Sequence, residues 1–267
     1  MTSFSNPATT LAEFLQGNPA EIVGADQMPR ILIIGLHGNE ELAARTAHRI
    51  STRYPELLKH VDYICGNPIA AAAYTRASTP MSDLNRSFKP KVQPLTYEER
   101  RAQQLLPIIK NYDYVLDIHT SQSDCDRLFL TANPDNAAVR KIISCSTIKR
   151  IVVMPQHIAS NSLIGHVGQS ISIEYNETLA HSAGAPEEIV SIVKDLIIGS
   201  SANRQREFYY VDCAVPKNED PGDVQNFVRC STGYYPILFG TGPKTYRNNP
   251  SRKYIGFAAA KMERIVL

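Results

Sequence analysis

The sequence predicts an α/β fold in which a central mixed, mostly parallel sheet is flanked by helices and followed by a small β-rich C-terminal region. The first observation is a β-α-β pattern, because apolar runs at 31–34 and 61–65 enclose a segment whose apolar residues have helical spacing. The second is that strand and helix patterns continue to alternate until about residue 200. The third is a change beyond that point to short strand patterns among Pro, Gly and Asn residues.

The predicted strands are apolar runs, rich in β-branched or aromatic residues and bounded by turn residues. Before residue 200 they lie at 31–35, 61–65, 114–119, 127–131, 151–155 and 170–175. Helices are predicted from apolar stripes at 40–54, 97–110, 136–145 and 187–198, with another starting at Ala70 and a short one at 11–15. The clearest is 97–110, where Thr96 is the expected cap and Glu99 its capping-box partner.

The C-terminal region shows a different pattern. Short strands are predicted at 208–211, 227–229, 235–239 and 262–266. We therefore predict an α/β domain at 1–200 that carries the chemistry and a β-rich appendage at 201–267.

Composition excludes several classes of protein. The chain has 267 residues, 43% of them hydrophobic and 20% charged, with a formal net charge of +2 and no basic block, so a nucleic-acid partner has no electrostatic support. No apolar run reaches the roughly 18 residues of a membrane span. Five cysteines without a CxxC pair, together with an N-terminus that lacks a signal-peptide pattern, predict reduced thiols in the cytoplasm.

The end of the first strand carries the first candidate metal ligands. His37 and Glu40 follow the apolar run at once, three residues apart in a turn that contains Gly38. Ligand sites of parallel sheets lie outside the carboxyl ends of the strands. His37 and Glu40 are therefore candidate zinc ligands.

The strand at 114–119 supplies a third ligand, because it also ends in a histidine, His119. Asp117 lies two residues earlier, on the same face of an extended chain, where it can orient the His119 ring. Three protein ligands leave one zinc position open, which is the catalytic arrangement. We expect one Zn²⁺ per chain.

Four motifs in this order resemble the succinylglutamate desuccinylase/aspartoacylase family of the zinc-carboxypeptidase-like clan. They are His37-Gly38-Asn39-Glu40, Asp83-Leu84-Asn85-Arg86-Ser87-Phe88, Asp117-Ile118-His119 and Ile173-Glu174. The resemblance covers residues 30 to 180 well and the C-terminal part loosely. It implies a zinc-carboxypeptidase-like sheet.

The resemblance also implies roles for single residues. Glu174 matches the general base, which accepts a proton from zinc-activated water and delivers it to the leaving amine. Asn85 and Arg86 match the pair that holds the α-carboxylate of the substrate, and an amide beside a guanidinium suits that task. Arg76 is a candidate for polarising the scissile carbonyl. The alternative interpretation of Arg76 is a solvated surface arginine.

Two positions depart from the family pattern. Its best-studied deacylases carry an arginine for a side-chain carboxylate about ten residues before the catalytic Glu, where this chain has 163–167 without an arginine. An acidic amino acid is therefore in doubt as the substrate, unless Lys244 or Arg247 replaces the missing charge. The C-terminal tyrosine that contacts substrate is assigned to Tyr246, with Tyr235 and Tyr254 as alternatives.

The predicted function is a zinc-dependent amidohydrolase that removes the acyl group from a small N-acyl amino acid, by attack of zinc-activated water. Two alternatives remain, a zinc carboxypeptidase acting on short peptides and a non-catalytic relative that binds a metal or an acyl amino acid. Glu174 argues against the second, because binding alone requires no base. The oligomeric state is open, with a homo-oligomer among the options.

Overall fold

A ten-stranded mixed sheet runs through the computed structural model of the chain, which describes residues 29–201, 204–240, 253–262 and 265–266. Its strands are β1 (Ile31–Gly35), β2 (Val61–Cys65), β3 (Tyr114–Ser121), β4 (Arg127–Thr131), β5 (Arg150–Val153), β6 (Ser170–Asn176), β7 (Gln205–Pro216), β8 (Tyr235–Ile237), β9 (Tyr254–Lys261) and β10 (Ile265–Val266). They lie in the order β2-β1-β3-β6-β4-β5-β7-β9-β8, and β10 pairs with β7.

The sheet contains two parallel groups of opposite direction. In the first, β1 lies parallel to β2 and β3, and β3 lies parallel to β6. In the second, β4 and β7 both lie parallel to β5. The groups meet where β4 runs antiparallel to β6, and β9 continues antiparallel to β7 and β8. The predicted α/β class with a mixed sheet and a strand-rich C-terminal region is confirmed.

Helices cover both faces of this sheet. The described helices are α1 (Leu42–Arg53), α2 (Pro68–Ala72), α3 (Tyr97–Ile109), α4 (Ala137–Ser144), α5 (Gln156–Ala159), α6 (Glu177–Ala180) and α7 (Gly184–Ile198), with short 3₁₀ helices at Pro55–Lys59, Leu84–Arg86, Leu163–Gly165 and Lys217–Glu219. The predicted capping box of α3 is formed, since Thr96 Oγ1 accepts from the Glu99 amide and Glu99 Oε2 from the Thr96 amide, both at 3.2 Å.

The two faces of β1 explain its unbroken apolar run. Ile31 and Ile33 pack into a core shared with α1, α4 and α7, whereas Leu32 and Ile34 pack into a core shared with α3. All four side chains are fully buried. A strand covered on both faces needs apolar residues at every position, so β1 lies in the interior of the parallel group.

Three predicted elements require correction. Residues 227–229 form a turn and not a strand, because Phe227 has a left-handed backbone with φ of 66°. The helix expected from Ala70 is only the short α2, which ends before Tyr74, another residue with positive φ. Of the strand expected at 262–266, Met262 lies outside any strand and Ile265–Val266 form β10, whereas the long strand β9 was not predicted.

Three further predictions concern an N-terminal helix, the domain boundary and membrane-spanning segments. The helix predicted at 11–15 lies outside the described residues. The boundary predicted near residue 200 falls between α7 and β7, and the division into two domains stays a prediction. Among the described helices, none combines the length and the apolar character needed to cross a membrane.

Candidate metal centre and adjoining cavity

The parallel pairing of β1 and β3 brings the predicted ligands together. Ile34 at the end of β1 is in register with Asp117 of β3, so His37 and His119, which follow them, leave the sheet at the same edge. Glu40 returns to this edge through a turn in which its amide donates to the His37 carbonyl at 3.3 Å. The His37, Glu40 and His119 side chains are all buried.

Gly38 permits that turn. A Cβ at this position would lie 2.1 Å from the carbonyl carbon of Ala70 and 2.2 Å from the amide nitrogen of Ala71, in the backbone of α2. No side chain fits at such distances, and backbone atoms of a helix give way little. The glycine between the two ligands is therefore a packing requirement of the site.

Atoms with lone pairs converge between the three side chains. Glu40 Oε1 lies 2.9 Å from His37 Nδ1, and Glu40 Oε2 lies 2.9 Å from His119 Nδ1. The two Nδ1 atoms are 3.2 Å apart. Within the described part of the chain, this is the group of His, Cys, Asp or Glu residues whose ligand atoms lie close enough, within 4.8 Å, to hold a metal ion.

A carboxylate faces the opposite side of each imidazole. His37 Nε2 lies 3.0 Å from Asp83 Oδ1, and His119 Nε2 lies 2.8 Å from Asp117 Oδ2. When Nε2–H donates to a carboxylate, Nδ1 carries the lone pair, so both rings present an acceptor to the centre. Several electron-pair donors facing one point repel each other unless a cation joins them. The donor set therefore fits a metal ion.

Electrostatics around the cluster agree with this interpretation. Burial alone would raise the pKa of Glu40, but His37 and His119 hold that pKa well below its usual value. Burial likewise opposes a charge on His119, yet Asp117 and Glu40 raise its pKa well above the usual value. The cluster thus favours positive charge at its centre, which is carried by protons on the imidazoles or by a metal ion that replaces them.

Arg76 lies beside this cluster and contacts two of its carboxylates, Glu40 and Asp83. Its Nη1 donates to Glu40 Oε1 at 2.8 Å, and its Nε and Nη2 donate to Asp83 Oδ2 at 3.3 and 3.2 Å. The structure thus brings the predicted oxyanion-stabilising residue to the site, where its guanidinium links the candidate ligand Glu40 to Asp83. About 39% of the Arg76 side chain is exposed, so it lies at the rim.

Glu174 lies beside the cluster on the neighbouring strand. It is in register with His119 across the parallel β3/β6 pair, so both side chains leave the same face of the sheet. Two residues earlier, Ser172 donates a 2.8 Å hydrogen bond to Asp117 Oδ2. Burial and the nearby Glu40 and Asp117 carboxylates raise the pKa of Glu174, against His119 and Arg76, which lower it.

Asn85 and Arg86 line a cavity that Glu174 also lines. Asn85 Oδ1 accepts from the Leu163 amide at 3.1 Å, and the exposed Arg86 donates through Nη1 to the Asn85 carbonyl at 2.8 Å. Tyr254 of β9, one alternative for the C-terminal tyrosine, lines the same cavity. Tyr246 lies outside the described residues.

Two functional neighbours were missed in the sequence. Asp83 belongs to the motif Asp83–Phe88, but nothing in its spacing indicates that it contacts His37. Glu98 of α3 is buried and accepts from the Ser78 amide, at 2.8 Å, and from Asn67, at 3.1 Å, so it fixes the loop that carries Arg76. The signal for Glu98 was a charged residue beside a capping box, which is ordinarily a surface feature.

Several solved structures share the fold of this chain. Murine aminoacylase 3 aligns with a TM-score of 0.65 at 16% sequence identity, covering 91% of this chain and 98% of that chain. The succinylglutamate desuccinylase of Chromobacterium violaceum aligns with a TM-score of 0.66 at 12% identity, covering 89% of this chain and 86% of its own. The chain therefore shares its fold with an aminoacylase and with a succinylglutamate desuccinylase.

The catalytic-domain profile of succinylglutamate desuccinylase/aspartoacylase matches residues 27–164, more than half of the 267-residue chain. The chain therefore belongs to the succinylglutamate desuccinylase/aspartoacylase family. An aspartoacylase family protein from Mesorhizobium loti also aligns, with a TM-score of 0.51 at 19% identity, covering 88% of this chain and 78% of its own. No curated protein sequence matches the chain.

Proposed function

We propose that the protein is a zinc-dependent amidohydrolase that removes the acyl group from an N-acyl amino acid. The observation that supports this most is the convergence of His37, Glu40 and His119 next to Glu174. Metal-assisted hydrolysis requires a set of metal ligands with a general base beside it, and this arrangement provides both. Asn85 and Arg86, which line the same cavity as Glu174, suit a substrate that carries a carboxylate.

The donor set determines the metal that we propose. Two imidazole nitrogens and one carboxylate are ligands typical of catalytic zinc, and Asp83 and Asp117 orient the two rings. His37, Glu40 and His119 would hold the ion. When bound, zinc supplies Lewis acidity, which polarises a carbonyl oxygen and lowers the pKa of water to about 7.

The side chains of the protein divide the remaining work. Glu174 accepts a proton from the attacking water and returns it to the amide nitrogen as the C–N bond breaks, so the products are a carboxylate and an amine. Arg76 places positive charge at the edge of the cluster, where it stabilises negative charge on the carbonyl oxygen. Asn85 and Arg86 hold the α-carboxylate and so fix the amide against Glu174.

A substrate panel tests the proposed function. We expect the zinc-loaded protein to hydrolyse N-acetyl or N-succinyl amino acids, measured as release of free amine, and to leave their α-methyl esters almost untouched. The esters remove the charge that Arg86 pairs with. Dipeptides are assayed in parallel, and faster cleavage of dipeptides than of any N-acyl amino acid would indicate a carboxypeptidase instead.

Asp83 provides a test of the metal centre from outside its ligand set. In the Asp83→Asn variant the acceptor opposite His37 loses its charge, so we expect zinc affinity to fall by about 10–100-fold. The affinity is measured by competition with a chelating dye. Asp135→Asn is the matched control, because that side chain is 93% exposed and lies 3.6 Å from Arg140 Nη2 at the surface. Unchanged affinity in Asp83→Asn would contradict the assigned orientation of His37.

A further inference from the structure

The cavity beside Glu174 has an apolar wall. Its described lining includes six large apolar side chains, which are Leu130, Met154, Ile158, Ile164, Leu238 and Phe257. All of them except Ile158 are buried, and they belong to the apolar cluster between the second parallel group and the C-terminal strands. Arg86 and Glu174 are the charged side chains among the described lining residues. The wall thus offers contacts to hydrocarbon and no basic partner of its own.

The size of the cavity limits what it can hold. Its volume is about 80 Å³, well below the roughly 300–1,000 Å³ of sites that enclose a whole small molecule. It can therefore accommodate one branch of a ligand. Leu238 contributes to the wall with a left-handed backbone, φ 58°, a conformation that bulky residues rarely adopt and that tends to occur at functional sites.

The position of the cavity indicates which branch enters it. Its polar lining residues are the pair Asn85 and Arg86, together with Glu174, Ser162, Ser172 and Tyr254. With the α-carboxylate on the first pair and the amide nitrogen near Glu174, the Cα atom of the substrate lies between them. The branch nearest to the wall is then the amino-acid side chain, whereas the acyl group lies beyond the amide.

We propose that this cavity is the specificity pocket for the amino-acid side chain and that it selects neutral, apolar side chains over acidic ones. The inference rests on the proposed hydrolase function and names its substrate class. Ile164 is the decisive residue, because it lines the wall ten positions before Glu174, in the stretch where the sequence lacks an arginine. A second carboxylate placed against this wall would lose its water without gaining a cation from the described wall residues, and it would lie near Glu174.

Kinetics on the zinc-loaded protein test the proposal. We expect kcat/KM for N-acetyl-leucine and N-acetyl-methionine to exceed that for N-acetylaspartate by at least about tenfold, since each methylene in an apolar pocket is worth roughly 10–200-fold. N-acetylglycine should fall below the leucine derivative for the same reason. Changing the acyl group at constant amino acid should matter less than changing the amino acid. A preference for N-acetylaspartate, or rates set mainly by the acyl group, would overturn the proposal.

Variants assign the selectivity to the wall. Ile164→Arg should shift the ratio of kcat/KM values towards N-acetylaspartate by at least about tenfold. Because Ile164 is buried, Ile158→Arg repeats the test at a partly exposed residue of the same wall. Ile198→Arg is the matched control, since its side chain is 73% exposed at the end of α7. An unchanged ratio in both wall variants, with folding verified by circular dichroism, would contradict the assignment.

Binding of the product amino acids tests the pocket separately from the hydrolase function. Calorimetry with L-leucine and L-aspartate reports on the pocket without requiring hydrolysis, and we expect leucine to bind at least about tenfold more tightly. If no N-acyl amino acid is hydrolysed, the proposed function fails. If N-acyl amino acids are hydrolysed but aspartate binds as tightly as leucine, the function stands and the pocket assignment is wrong.

Discussion

Replacing His119 with alanine is expected to abolish binding of one zinc per chain and to reduce amide hydrolysis to the background rate. The variant loses one of three proposed protein ligands, and Glu40 Oε2 loses the partner that lies 2.9 Å away. The two remaining ligands are too few for a stable tetrahedral site. Metal content after dialysis against a weak chelator, together with release of free amine, measures both effects.

The control for this variant is a histidine outside the cluster. His181 follows α6, is exposed and contacts the Glu177 carbonyl, so His181→Ala should retain full metal content and activity. Circular dichroism should show that His119→Ala keeps the secondary structure, because the apolar faces of β3 are unchanged. Retention of one zinc at wild-type affinity in a folded His119→Ala protein would place the metal elsewhere.

The proposed ligands could be predicted because their positions follow from strand ends. His37 and His119 each terminate an apolar run, and the carboxyl ends of parallel strands share an edge. That argument needs no register, and the pairing of Ile34 with Asp117 is compatible with it. The sequence also indicated the partner of His119, because Asp117 lies two residues away in the same strand.

The partner of His37 could not be predicted in the same way. Asp83 lies 46 residues from His37, in an irregular segment before a 3₁₀ turn. Local periodicity gives no information on where such a segment folds, since loops lack a repeating pattern. The loop is positioned by tertiary contacts, above all those of Ser78 with the buried Glu98.

The C-terminal strands show the limits of local patterns most clearly. Strand β9 contains the run Ala258–Ala260, in which small residues hide the alternation that marks a strand. It forms by pairing with β7 and β8, so its signal is non-local. Phe227, by contrast, has a strand-like neighbourhood but a positive φ. Two residues that line the cavity, Tyr254 and Phe257, consequently came from a strand that was not predicted.

Replacing Glu174 with glutamine should separate binding from chemistry. The amide keeps the shape of the side chain but has no site that accepts the proton of the attacking water. We therefore expect kcat to fall by on the order of a hundredfold or more, with KM and zinc content close to those of the unmodified protein. Steady-state kinetics on the best substrate, with metal analysis of the same preparation, measures the three quantities.

Glu177→Gln is the matched control, since Glu177 lies three residues further on, is exposed and accepts a hydrogen bond from Gln122. Its kcat should be unchanged. A fall in zinc content in Glu174→Gln would make Glu174 part of the metal centre and not the base. An unchanged kcat would mean that another carboxylate of the site is the general base. A fall in kcat alone is the result expected of a base that acts in the transition state, because a residue that only bound substrate would raise KM instead.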